Sequence, residues 1–276
     1  MHTFAFCLKF MKKALYILFI SILMISCSDF QKTLKSEDTA EKFKVGTELF
    51  EAGKWSKAHR LFTQILAKYR GKPQAEKLTY MHAMCSYKMG EYYIASYHFN
   101  RFIGSYPDSE KLQEAAFLEA KGYYYLSPVY SKEQKETVEA IEKLQLFVNA
   151  YPNSEFLPEA NAIVKELDFK LERKAFEIAK QYDLIKDYKA SVNSFNNFLF
   201  DFPGTSLRNK AMYYRLDAAY NLAMRSVVEL KEERLNTAIT YYNTFKKTFP
   251  DSEFMEDANR LNEELKQELN TFTIKS

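Results

Sequence analysis

The residue types that carry most enzyme and metal chemistry are few and scattered in this chain of 276 residues: four histidines (His2, His59, His82, His98) and three cysteines (Cys7, Cys27, Cys85). The histidines show no metal-ligand spacing, and each reads as a surface or helix-packing residue. Acidic pairs such as Glu232-Glu233 and Glu263-Glu264 fall in charged helical stretches and read as solvated faces. No Gly-rich phosphate loop, Gly-x-Ser-x-Gly or His-Glu-x-x-His occurs. Catalysis needs a positioned constellation of groups. The expectation is a protein with no catalytic residues, no metal and no cofactor. Cys85 lies on an apolar helix face without a partner and reads as a small core residue.

Cys27 is the exception. Met11-Lys12-Lys13 and the apolar run Ala14 to Ile25 have the form of a secretory signal over residues 1–26. The run is too short to span a bilayer, which takes about 20 residues. It ends in Leu23-Met24-Ile25-Ser26-Cys27, which resembles a bacterial lipoprotein signal, with Met24 where leucine is usual. In such signals the cysteine is diacylated, and cleavage on its amino side makes it the new N-terminus. Cys27 is therefore the expected lipidation site, and Cys7 falls in or before the signal. Residues 1–10 stand ahead of a signal complete from Met11, so translation is expected to begin at Met11. In the sorting rule known for enterobacterial lipoproteins, the serine at position 28 points to the outer membrane. Residues 27–37 are polar without clear periodicity and read as a lipidated tether.

The elements that follow must be helices. Aromatics make up 16% of the chain, against seven glycines and seven prolines. Few breakers, many helix formers and no sustained period-2 alternation argue for an all-α protein. The net charge of +3 equals the three lysines of residues 1–26 (Lys9, Lys12, Lys13), which contain no acid. Beyond them acids and bases balance, so no basic surplus marks a nucleic-acid binder.

A short stretch repeats along this helical chain: Tyr106-Pro107-Asp108-Ser109, Tyr151-Pro152-Asn153-Ser154, Phe202-Pro203-Gly204-Thr205 and Phe249-Pro250-Asp251-Ser252. A phenylalanine precedes each by one helical turn (Phe102, Phe147, Phe198, Phe245). A small residue lies further upstream (Ala95, Ala140, Ser191, Ala238). Proline stops the incoming helix. Asp108, Asn153 or Asp251, with the Ser after each, is expected to accept hydrogen bonds from the free N–H groups of the next helix. Upstream, Gly46, Gly53-Lys54-Trp55, Ala58 and Phe62 match a tetratricopeptide repeat (TPR), as do Ala83, Gly90-Glu91-Tyr92, Ala95 and Phe99. The reading is an all-α TPR solenoid of about five divergent helix-pair repeats plus a C-terminal capping helix. Repeats 1–2 occupy residues 38–107, and repeat 3 occupies 108–152 with an insertion at 127–131. Repeats 4–5 and the cap occupy 153–271, with the first helix of repeat 5 running from about Ser206 to Leu230. The small positions recur at more than the roughly 34 residues of a plain array, so the later helices are lengthened.

The lipoprotein signal, five lengthened TPRs and the insertion Tyr124 to Ser131 resemble the BamD family, lipoproteins of the outer-membrane β-barrel assembly machinery. Thr137, Ala140-Ile141, Leu144-Gln145, Phe147 and Tyr151-Pro152-Asn153-Ser154 strengthen the likeness, which covers about residues 27–270. It implies a non-enzymatic role at the periplasmic face of the outer membrane of a Gram-negative bacterium. The C-terminal repeats would dock on a BamA-like barrel protein. The N-terminal repeats would take the C-terminal signal of unfolded outer-membrane proteins, a strand ending in an aromatic residue. In TPR register the inner faces place Phe43, Thr47, Phe50, Lys77, Tyr80, Met84, Tyr87, Glu119 and Tyr123 in a peptide-binding groove. Arg208, Arg215 and Asp217 are the expected partner-facing residues. The alternative is another TPR lipoprotein, a scaffold for envelope maintenance or glycan uptake. Glycan capture usually calls for more tryptophan than the single Trp55.

Overall fold

A computed structural model of the chain describes residues 29–275. The signal at 1–26 and the lipidation site Cys27 lie outside these residues. The described helices are α1 (29–35), α2 (Thr39–Glu51), α3 (Trp55–Ile65), α4 (Ala75–Lys88), α5 (Tyr92–Ser105) and α6 (Leu112–Leu126). They continue with α7 (Lys135–Ala150), α8 (Leu157–Leu184), α9 (Tyr188–Asp201), α10 (Arg208–Met224), α11 (Val228–Thr248) and α12 (Met255–Lys275). A 3₁₀ turn, Ala67–Tyr69, extends α3. No strand occurs among the described residues. The protein is all-α among the described residues, built of TPR-type helix pairs, α2/α3 through α10/α11, followed by α12.

The helices fall into two compact units. Unit 1 holds the residues up to Ser127 together with Lys135–Val164, and unit 2 holds Pro128–Gln134 with Lys165 onward. The insertion therefore packs in unit 2. There the Arg173 guanidinium lies 4.2 Å from the Tyr130 ring centre and Lys174 Nζ donates to the Lys132 carbonyl at 2.7 Å.

Close helix packing follows from the small residues. A Cβ on Gly46 of α2 would stand 2.5 Å from Phe62 Cε1 of α3, so only glycine lets this pair approach. Gly122 of α6 is crowded in the same way by Ser96 of α5. The Ser96 hydroxyl donates to the Glu119 carbonyl at 2.9 Å, and the Ser191 hydroxyl to the Ala179 carbonyl at 3.0 Å. Each ties one helix to its neighbour's backbone. Gly53, with φ of 69°, makes the turn that L-residues rarely adopt.

The four aromatic–proline junctions share one conformation. Each aromatic packs on the phenylalanine four residues back, with ring centres 5.2–6.2 Å apart, and its N–H closes the helix on that residue's carbonyl. Two successive turns then precede the next helix. The N–H of Ser109, Ser154, Thr205 or Ser252 donates back to the aromatic carbonyl at 3.1–3.2 Å. The hydroxyl of the same residue accepts the N–H two places on at 3.0–3.4 Å. The helix starts there, three residues past the Ser or Thr; of each expected polar pair it is the Ser or Thr hydroxyl that makes the turn.

Two further expectations change. Residues 29–35 are helical rather than a loose tether, with Phe30 and Thr33 buried. Their i,i+3 spacing makes a one-sided contact, and Lys57 Nζ and the Arg60 guanidinium lie 5.3 and 5.5 Å from the Phe30 ring centre. The first helix of repeat 5 ends at Met224 and Val228 opens α11, so Ser206–Leu230 is not one helix. The Ser226 N–H folds back to the Ala223 carbonyl, its hydroxyl bonds the Leu222 carbonyl, and Val227 is extended at ψ 157°. No glycine or proline marks that break.

Candidate functional site

Unit 1 carries a cavity of about 550 Å³ lined by Phe50 at the end of α2, by Lys77, Tyr80 and Met81 of α4, and by Lys111 ahead of α6. Glu51, Pro73 and Glu76 complete its edge. Its floor is aromatic and fixed by packing. Phe50 meets Trp55 edge-on at 5.1 Å, and Tyr80 packs against Phe99 and Phe102. Lys111 Nζ sits 5.6 Å above the Tyr80 ring and bonds Glu114 at 2.8 Å. Burial, with Glu114 beside it, pushes the Tyr80 hydroxyl well above its usual range, so it stays protonated. Lys77 is exposed and forms no ion pair among the described residues. An apolar floor with ammonium groups on its wall suits an apolar side chain next to a carboxylate.

The structure therefore brings Phe50, Lys77 and Tyr80 together. The other expected groove residues stand elsewhere. Phe43 stacks on Tyr69 at 5.3 Å, and Thr47 donates its hydroxyl to the Phe43 carbonyl. Tyr87 is packed among Tyr92, Phe99 and Tyr125, with its hydroxyl pushed up by burial and then by Tyr125. Tyr123 is half-buried beneath Lys143, its hydroxyl raised to about 12 by burial and then by Glu139. Met84 and Glu119 are corrections, because both are buried. Met84 fills the core between α4 and α5, one helical turn beyond Tyr80, in the cluster against which Tyr80 itself packs. Glu119 accepts Lys143 Nζ at 2.7 Å and Asn100 Nδ2 at 3.0 Å, an internal ion pair joining α6 to its neighbours.

In unit 2 the three expected partner-facing residues also have internal roles. Arg208 donates to the Leu199 and Pro203 carbonyls at 3.5 and 3.3 Å, at the negative end of α9. Arg215 lies 4.0 Å over the Tyr241 ring and bonds Asn196 at 3.1 Å. These contacts give Arg215 a largely internal role, whereas Arg208 stays half-exposed. Asp217 is different. Burial, then the nearby charge of Asp183, raises its carboxyl to about 6, and burial raises Asp183 as well. Asp183 Oδ1 is buried with no hydrogen-bond partner. Sequence reasoning passed over Asp183, which sits at the end of the longest helix with no motif around it. It passed over Lys111 too, because the helix was expected to start before it.

Helix pairs of this kind define a TPR-type scaffold, and no described helix is long and apolar enough to cross a membrane. The model of the YfiO family, described as outer membrane lipoprotein, matches residues 35–235, and the chain belongs to that family. Among curated proteins it is 23% identical over 219 residues to the outer membrane protein assembly factor BamD of Caulobacter vibrioides, covering 79% of this chain and 68% of that protein. It is 22% identical to the BamD of Rickettsia prowazekii, covering 80% of this chain and 84% of the relative. The BamD of Haemophilus influenzae is also 22% identical, with 78% and 86% covered. Solved structures with some likeness are a TPR2AB-domain complex of yeast Sti1 (TM-score 0.39, 14% identity, 85% of this chain and 93% of that one) and MamA (TM-score 0.31, 13% identity, 78% and 93%).

Proposed function

We propose that this protein is a non-catalytic assembly factor for β-barrel proteins, held at the periplasmic face of the outer membrane by acyl chains on Cys27. The observation that carries the reading is family membership, with BamD relatives matched over most of their own length. In this reading unit 1 receives an unfolded client and unit 2 holds a BamA-like barrel protein. The client segment would be a strand ending in an aromatic residue, its ring on Phe50 and Tyr80 and its terminal carboxylate at Lys77. On unit 2, burial raises the carboxyls of both Asp183 and Asp217. An arginine or lysine from the partner would stabilise their charged forms and donate to the buried Asp183 Oδ1.

The test is a pull-down of the tagged, lipidated protein from detergent-solubilised membranes, with mass spectrometry of what stays bound. The expected result is a BamA homologue in stoichiometric amount, its recovery reduced about tenfold or more by Asp217→Arg, since reversing a charge in a close pair costs more than ~1.4 kcal/mol. In parallel, Lys77→Glu is expected to weaken binding of a barrel protein's C-terminal peptide about tenfold. Recovery of cell-wall or glycan-uptake proteins in place of the barrel protein overturns the assembly role.

A further inference from the structure

The outer helices of the first two pairs are one-sided in charge. From Ala52 to Ala75, through α3 and the turn after it, no acid occurs, and none occurs from Tyr92 to Pro107 through α5. Seven lysines and arginines fall in the same two stretches. The corresponding helix of the third pair, α7, carries Glu136, Glu139 and Glu142 instead. A chain that balances overall thus concentrates positive charge on one part of unit 1. Of these cations Lys68 meets an acid, Glu37, at 3.5 Å with both groups exposed.

Between α3 and α5 lies a cleft of about 520 Å³. His82 of α4 is its floor, stacked on His59 at 4.3 Å and edge-on to His98 at 4.6 Å. Arg70 and Arg101 stand at its exposed rim, Thr79 and Ser105 add hydroxyls, and no carboxylate lines it. Next to Arg101, α5 displays Tyr93 and Tyr97, 69% and 56% exposed, together with exposed Ile94. The Arg101 guanidinium lies 5.8 Å from the Tyr97 ring centre. Exposed tyrosines and an aliphatic side chain beside unpaired cations are the composition that settles at a bilayer's headgroup level.

Placement adds an independent argument. The described residues begin at 29 with α1, which is docked through Phe30 against Lys57 and Arg60 of the same α3. Only position 28 separates this helix from Cys27. An acylated Cys27 would therefore hold α3 close to the bilayer surface with almost no slack.

We propose that this face of unit 1 lies on the membrane, with the cleft between Arg70 and Arg101 receiving the phosphate of an acidic phospholipid headgroup and Tyr93, Ile94 and Tyr97 seated at the interface. The inference shares with the proposed function only the acyl anchor. The test removes that anchor. The full mature chain carrying Cys27→Ser is sedimented with vesicles of phosphatidylcholine alone and with vesicles that also contain phosphatidylglycerol. Binding is expected to the acidic vesicles and to fall with added salt. Arg70→Glu with Arg101→Glu is expected to lower it at least tenfold, at about 1 kcal/mol per cation near an anionic surface. Tyr93→Ser with Tyr97→Ser should lower it severalfold, with the circular dichroism of both variants unchanged.

Equal binding to both vesicle types, or no loss in the arginine variant, overturns the proposal. Competition by soluble glycerol phosphate or a single-stranded oligonucleotide as effective as competition by the vesicles overturns it too, by assigning the cleft to a free anion or a nucleic acid. Failure here leaves the wild-type chain's acyl anchoring and its pull-down result untouched, so the two readings fail separately.

Discussion

Three histidines far apart in sequence meet over α4, and burial sets their chemistry. Burial, helped by the neighbouring histidines, lowers His82 to about 3, and burial lowers His59 and His98 below their usual value as well. The folded state thus keeps these rings neutral where the unfolded chain would protonate them. Below about pH 6.5 the unfolded chain binds more protons, so stability falls as pH drops through 6 and 5, by up to ~1.4 kcal/mol per pH unit for each such ring. Asp217 and Asp183 act with the opposite sign. Their raised folded-state values make stability fall as pH rises from about 4 through about 6. Urea unfolding of the wild type and His82→Leu between pH 7 and 5 separates the two effects. The variant should show a shallower acid loss, and an unchanged slope would contradict the neutral stack. None of this was legible from the sequence. Histidine spacing along the chain cannot show that positions on three helices converge.

At the scale of elements the repeated junction was legible and its details were not. Proline and the paired aromatics announced where each helix stops, because both act on the residues beside them. Where the next helix starts depends on which of two polar neighbours makes the turn, and that is settled by geometry the sequence does not display. The α10–α11 break was invisible for a related reason, since Arg225, Ser226 and Val227 include no strong breaker. The short α1 was missed because a single turn of contact on α3 gives too few residues for a period to emerge. Its docking makes a sharp prediction. Phe30→Ala removes a nearly fully buried ring held between two cations. It should destabilise unit 1 by about 2–4 kcal/mol, read as a lower urea midpoint. An unchanged midpoint would return residues 29–35 to the role of tether.

For the whole molecule, balanced charge concealed an uneven distribution. Counting acids and bases over the chain excluded a basic surplus correctly, yet two outer helices carry none of the acids. Scanning helix by helix rather than chain-wide would have found them. The groove was legible in part. Phe50, Lys77 and Tyr80 line one cavity, whereas Met84, one turn beyond Tyr80 on nearly the same face of α4, is covered by the side chains of α5. The basic cleft of unit 1 and the proposed barrel-protein site of unit 2 share no residue, so the effects of changing them should be additive. Arg70→Glu with Arg101→Glu is expected to leave recovery of the barrel protein in detergent unchanged, and Asp217→Arg to leave vesicle binding unchanged. A loss in either cross-check would mean that one variant disturbs the fold beyond its own unit.

Helix α4 is read from both sides. Ala75, Thr79 and His82 face the basic cleft, whereas Lys77, Tyr80 and Met81 face the aromatic cavity. With the cleft pressed to lipid headgroups, this helix becomes a partition of fixed thickness, about 10–12 Å across with its side chains. The cavity then opens away from the bilayer, at a standoff set by the width of the helices rather than by the length of a leash. A client captured there would be displayed at constant height above the membrane into which it must eventually go.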